Sequence, residues 1–247
     1  MIPKSNAGPG LLAYVVTAKY QDALPLYRQE KIFQRYGVQL TRQTLANWII
    51  KCSQALDPLL EQMERAIRSA PVILMDETTV QVNKEDGKAP GSQSFMWIRR
   101  ALAPPDDNNR HGKDITLYHY SRSRSSEVAA ELLKDYHGAL MSDAYAGYNR
   151  VASAQQLTHA QCWAHARRKF VDAEKSLPKG KKSPAITAIL NEIAKLYAIE
   201  KQIKTLDAEQ KQERRTQLAT PILDKLHQSL LKKANEVLPK SALGEAV

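Results

Sequence analysis

Two acidic stretches carry the residue types from which phosphoryl-transfer chemistry can be built. In Pro71-Val72-Ile73-Leu74-Met75-Asp76-Glu77-Thr78-Thr79-Val80, four apolar residues run straight into Asp76. In Gly138-Ala139-Leu140-Met141-Ser142-Asp143-Ala144-Tyr145-Ala146-Gly147-Tyr148 the arrangement recurs around Asp143. A short apolar run rich in β-branched residues reads as a buried strand. An ionised carboxylate in such a strand is costly unless a cation or hydrogen bonds compensate it. Asp76 and Asp143 are therefore expected side by side on neighbouring strands, holding a divalent metal. The alternative is that each caps a turn or pairs with an arginine at a strand end. Further on, Cys162 and His165 form a C-x2-H pair with His159 close by. Zinc needs four ligands and no convincing fourth is in this segment, so a structural role near the site is expected instead.

The elements that must position these residues follow from the patterning. Gly8-Pro9-Gly10 signals a turn, and Leu11 to Tyr20 reads as a helix. Leu24-Pro25 opens a second helix that ends at Gly37, and Thr41 can cap a third carrying Leu45, Trp48, Ile49 and Cys52 on one face. Helix, glycine-containing turn, helix is the helix-turn-helix pattern. Its polar face would offer Arg42, Gln43 and Asn47 to a DNA groove, with Arg28, Lys31 and Arg35 for phosphates. A packing or dimerisation role fits the same pattern. Leu59, Leu60, Met63 and Ile67 predict a further amphipathic helix leading into the first acidic strand.

Strands are expected over Val72 to Val82, Ser94 to Leu102 and Ile115 to Ser121. The link 103–113 carries Asp106 and Asp107, which in a Pro/Asn context read as turn formers. A helix from Ser125 precedes the second acidic strand, and the β-α-β crossover predicts parallel pairing within a mixed sheet. The segment from Gln156 starts as a strand and continues as a helix bearing Arg167, Arg168 and Lys169. From Pro178 onward the apolar stripes of Ile186, Ile189, Ile193 and Leu196, then Leu218, Ile222, Leu226 and Leu230, predict paired helices forming a hairpin. The organisation is thus a helical segment 1–70, an α/β segment 71–177 and a basic helical hairpin 178–247.

The formal charge is +10, and its distribution is informative. Residues 1–70 carry 9 basic and 5 acidic side chains, 71–177 carry 14 and 13, and 178–247 carry 13 and 8. Basic flanks around an acid-rich middle suit an enzyme that holds DNA phosphates beside a metal. A solvated basic surface without a partner gives the same count. No stretch is long and apolar enough to span a membrane, and the start lacks a signal-peptide core, so a cytoplasmic protein is expected. Cys52 and Cys162 are too few for a disulfide framework.

Seven motifs, in order along the chain, resemble the insertion-sequence-sixty-six transposases, DDE enzymes with an RNase H-like core. They are Ala7-Gly8-Pro9-Gly10-Leu11-Leu12-Ala13, Leu24-Pro25-Leu26-Tyr27-Arg28-Gln29, Thr44-Leu45-Ala46-Asn47-Trp48, Met75-Asp76-Glu77-Thr78, Ser142-Asp143-Ala144-Tyr145-Ala146-Gly147-Tyr148, Cys162-Trp163-Ala164-His165-Ala166-Arg167-Arg168-Lys169-Phe170 and Pro239-Lys240-Ser241-Ala242-Leu243-Gly244. The resemblance implies an α/β, RNase H-like mixed-sheet core with Asp76 and Asp143 as the first two catalytic carboxylates. It implies Cys162 and His165 as active-site support and the basic helix from Arg167 along DNA. It further implies Mg2+, with Mn2+ able to substitute, and double-stranded DNA (the element's ends and its target) as partner. A homo-oligomer and helper proteins from the same element are compatible with it, as is a nucleoid-associated location.

Two Mg2+ ions about 4 Å apart would clamp the attacking and leaving oxygens of a phosphodiester. The family's third carboxylate lies in a glutamate segment beyond the proline-lysine-serine motif. None of Glu192, Glu200, Glu213, Glu236 or Glu245 sits in a matching context, and the Cys-rich N-terminal segment of many members is missing. The expectation is a fragment with impaired catalysis alone. The alternatives are a catalytically dead DNA-binding or regulatory fragment, or an RNase H-like nuclease.

Overall fold

The computed structural model describes residues 2, 5–102 and 114–247. Asp106 and Asp107 therefore lie outside the described residues.

Four helices precede the sheet: α1 (Pro9–Tyr20), α2 (Leu26–Arg35), α3 (Arg42–Ala55) and α4 (Asp57–Arg68). Gly37, at φ +77°, ends α2 by entering the left-handed region that glycine adopts without steric cost. Thr41 caps α3 as expected, its hydroxyl accepting from the Thr44 amide at 3.2 Å. Leu45 is fully buried, Trp48 and Ile49 half-buried. The α1–α2 corner is closed by buried Gln29, whose amide donates to the Leu24 carbonyl at 3.0 Å. Leu59 and Leu60, on the expected apolar stripe of α4, are exposed; Met63 and Ile67 face the sheet core instead.

The sheet has five strands in the order β3-β2-β1-β4-β5: β1 (Val72–Gln81), β2 (Gln93–Ala101), β3 (Ile115–Ser121), β4 (Ala139–Ser142) and β5 (Thr158–Gln161). β1, β2 and β3 form an antiparallel meander, and β4 and β5 run parallel to β1 on its other side. This is the strand order of an RNase H-like core. Between strands lie α5 (Ser126–Leu132) and α6 (Ala146–Ala154). Sequence patterning did not anticipate α6, whose short stripe of Tyr148, Val151 and Ala152 is nevertheless buried.

Alternation along β1 sends Ile73 and Met75 into a core shared with Trp97, Leu117, Leu133, Leu140 and Tyr148. Arg99 on the same face is buried, paired with Glu64 of α4 and donating to the Leu132 carbonyl at 2.9 Å. It thereby ties α4 and α5 to β2.

A second apolar cluster joins α7 (Trp163–Lys175), α8 (Pro184–Gln202) and α10 (Thr220–Ala234) through Phe170, Ile186, Ile189, Ile193 and Leu226. The expected hairpin forms, with α9 (Ala208–Arg214) and a π-helical turn (Arg215–Ala219) leading into α10. Pro221 has no N–H for the carbonyl one turn back, and the π turn sits just before it. Packing continues across both 70/71 and 177/178: Ile67 belongs to the sheet cluster, Phe170 and Ala173 to the helical one.

Candidate active site

Strand pairing brings the two acidic stretches together. The β1–β4 ladder runs Val72↔Ala139, Ile73↔Leu140, Leu74↔Met141. Asp76 and Asp143 each stand two residues beyond the last of these pairs, Asp76 within β1 and Asp143 just past the end of β4. The chain leaves β1 toward β2 on one side, while β4 lies on the other. The carboxyl ends of parallel strands at such a switch point are where open α/β sheets bind ligands.

Each aspartate is held locally. Asp76 Oδ1 accepts from the Glu77 amide at 2.9 Å, and its Oδ2 lies 3.6 Å from His165 Nε2. Asp143 Oδ1 accepts from the Tyr145 amide at 3.0 Å, an Asx-type turn that starts α6. Its Oδ2 lies 3.9 Å from Arg124 Nη2.

Glu77 was not singled out by sequence, yet its side chain is only 1% exposed. It accepts from Arg124 Nε at 2.5 Å and from the Tyr148 hydroxyl. Tyr148 is buried edge-on to Trp97 and Tyr145. Burial, then the hydrogen bond to Glu77 and the charges of Glu77, Asp76 and Asp143, push its phenol far above the ordinary range. Both aspartates thus act electrostatically on one phenol. For Arg124 burial opposes the charged form, but the Glu77 hydrogen bond and the charges of Glu77 and Asp143 prevail and raise its pKa. Its guanidinium lies over the Tyr145 ring, 4.3 Å from the centroid. The available sequence signals were the acid beside Asp76 and the two tyrosines after Asp143. Nothing in the sequence marked Arg124.

The C-x2-H pair divides its work. Cys162 occupies the N-cap position of α7, its amide donating to the Ser142 carbonyl at 2.9 Å. His165 sits one turn in, beside Asp76, with Nδ1 buried and without a hydrogen-bond partner among the described residues. His159 is engaged elsewhere, Nε2 to Ser142 Oγ at 2.8 Å. Burial lowers its pKa, against the opposing charge of Asp143.

Arg167, Arg168 and Lys169 are exposed on α7, because Phe170 and Ala173 take its buried face. Arg168 and Lys169 line one cleft of about 780 Å3 with Arg124, Asp143 and His165. Arg42, Gln43 and Asn47 are exposed on α3 and do not line that cleft.

The donor set bears on metal binding. Two carboxylates that leave room for water suit a hard, octahedral cation such as Mg2+. Among the described residues no group of three His, Cys, Asp or Glu side chains is arranged to hold an ion. Glu245 lines the cleft, but Glu192, Glu200 and Glu236 are each paired with a lysine or arginine and Glu213 with Gln217.

Comparison with known proteins adds a family. The profile described as "Transposase IS66 family" matches residues 4–247. Relatives from Sinorhizobium fredii (strain NBRC 101917 / NGR234) include the uncharacterized protein y4jD, 33% identical over 98% of this chain and 47% of its own length. Another, y4qI, is 30% identical over 96% of this chain and 44% of its own length. The chain thus spans somewhat under half the length of the curated relatives it matches. Among solved structures, the Drosophila P element transposase strand transfer complex aligns with 98% of this chain and 63% of its own, at 13% identity and TM-score 0.40. Similarity that low carries no argument.

Proposed function

Because this chain belongs to the IS66 transposase family, we propose that it cleaves and joins DNA strands at the ends of a bacterial insertion sequence, using Asp76 and Asp143 as its catalytic carboxylates. The observation that supports this reading is the register of β1 and β4, whose last pair, Leu74↔Met141, lies two residues before Asp76 and Asp143. Together they would hold Mg2+, or Mn2+ in its place, which when bound supplies Lewis-acid activation of water or a 3′-hydroxyl and charge for the leaving oxygen. Glu77 and the Tyr145 amide fix the two aspartates' surroundings, and His165 stands beside Asp76. Arg167, Arg168 and Lys169 would hold the phosphates of double-stranded DNA entering the cleft, positioning without reading bases. Arg42, Gln43 and Asn47 on α3 would address a groove, since the second helix of a helix-turn-helix presents its exposed N-terminal side chains there. Among the described residues no helix is long and apolar enough to cross a membrane.

A set of two carboxylates holds an ion more loosely than three, so this chain by itself is proposed to cleave weakly. The same observation supports a second reading, a DNA-binding or regulatory transposase protein without catalysis. A nicking and strand-transfer assay on labelled insertion-sequence ends with Mg2+ or Mn2+ separates them. Cleavage and 3′-end joining abolished by Asp76→Asn and Asp143→Asn support the enzyme. Cleavage without joining indicates an RNase H-like nuclease, and DNA binding with no cleavage by either the parent chain or Asp76→Asn indicates the regulator.

A further inference from the structure

We propose that Arg124 is a substrate-binding residue of this site, gripping a phosphate of the DNA strand that enters beside Asp143. This rests on the transposase reading and extends it to a residue outside the acidic motifs and the basic helix.

Two contacts fix the guanidinium from one side. Its Nε is committed to the buried Glu77 carboxylate at 2.5 Å. Its plane lies on Tyr145, 4.3 Å from the centroid. Tyr145 is itself anchored at both ends, its amide to Asp143 Oδ1 at 3.0 Å and its hydroxyl to the Arg124 carbonyl at 2.6 Å. The other edge is open. Among the described residues neither terminal nitrogen makes a hydrogen bond; Nη2 approaches Asp143 Oδ2 at 3.9 Å. The side chain remains 44% exposed and lines the cleft that also holds Asp143 and Lys169.

A guanidinium whose Nε is taken and whose terminal N–H groups face an open cleft presents the planar fork that matches phosphate oxygens. Holding it beforehand removes the rotamer entropy a free arginine would lose on binding. Charge argues the same way. A phosphodiester approaching Asp76 and Asp143 meets two like charges, and Arg124 is the cation built against them. Glu77 and Tyr148 are then positioning residues that act through Arg124.

The test measures binding of a short fluorescein-labelled DNA duplex, in EDTA, across a salt series. Arg124→Ala and Arg124→Lys are compared with the parent chain and with Arg150→Ala, an exposed arginine on α6 paired with Glu127. Arg124→Lys keeps the charge beside Glu77, so it guards against a fold defect, which thermal melting also monitors. The expected result is an affinity loss of about three- to tenfold for Arg124→Ala with a salt slope smaller by about 0.9. A partial loss is expected for Arg124→Lys and none for Arg150→Ala. Unchanged binding in both Arg124 variants, equal losses at Arg124 and Arg150, or no binding by the parent chain overturns the proposal. Failure of the parent chain to cleave DNA with metal would sink the transposase reading alone, because this binding is read without metal.

Discussion

Tyr148 of α6 donates its hydroxyl to Glu77 of β1, a contact spanning 71 residues that joins the two acidic motifs through buried side chains. Neither residue is an obvious catalyst. Together they decide how the strand carrying Asp76 and the turn carrying Asp143 sit against each other.

Removing that hydroxyl leaves a buried carboxylate with Arg124 alone. Tyr148→Phe is expected to destabilise the fold by about 1–3 kcal/mol, the usual cost of depriving a buried polar group of a partner. Urea unfolding measures it. Combining the change with Glu77→Gln should give a non-additive result, because the two residues share one interaction. Strict additivity would mean the contact is energetically idle.

Two neighbouring aspartates should make the fold respond to divalent ions. An ion present at ten times its Kd stabilises by about 1.4 kcal/mol, a rise of roughly 3–6 °C in melting temperature for a chain of this size. Differential scanning fluorimetry with Mn2+ is expected to show the rise in the parent chain and none in Asp76→Asn or Asp143→Asn. A rise that survives both substitutions would place the ion elsewhere.

Gly147 follows the Asp143 turn with no room for a side chain: a Cβ there would meet the Tyr145 ring at 2.3 Å. Gly147→Ala must displace that ring, at a cost of about 1–3 kcal/mol as for other overpacked sites. Near-ultraviolet circular dichroism should report the displaced tyrosine. A spectrum and melting point equal to the parent's would contradict the close approach.

Acid should loosen the helical hairpin. Hydrogen bonds from Lys225, 33 residues away along the chain, and from Lys195 hold the Glu192 carboxyl below the usual carboxylate range. A carboxyl lowered in the folded state contributes stability above its unfolded value, and that contribution disappears as pH falls through the folded one. The melting temperatures of the parent and Glu192→Gln should therefore differ at neutral pH and converge in acid. Parallel curves throughout would show that the bridge between α8 and α10 adds nothing.

Much of the architecture was legible because it is written in local periodicity. The apolar runs at Val72 and Ala139, the Thr41 cap and the β-α-β crossover each follow from nearby residues, and the parallel pairing of β1 with β4 comes with them. Helix α6 was missed because its stripe is short and follows a turn. Leu59 and Leu60 lie on the apolar stripe of α4 yet are exposed, because a helical stripe alone does not say which neighbours cover it.

By itself the sequence determined the residue types and order of the site: two aspartates after two apolar runs, a C-x2-H pair, and a basic helix after it. Those are fixed by patterns a few residues long. Only the tertiary structure decided that Arg124 and Tyr148 meet Glu77, that His165 stands by Asp76, and that Arg99 binds α4 to the sheet. The physical reason is that a buried charge must be matched by whichever partner the folded chain delivers, and no local rule in the sequence names a partner that many residues away.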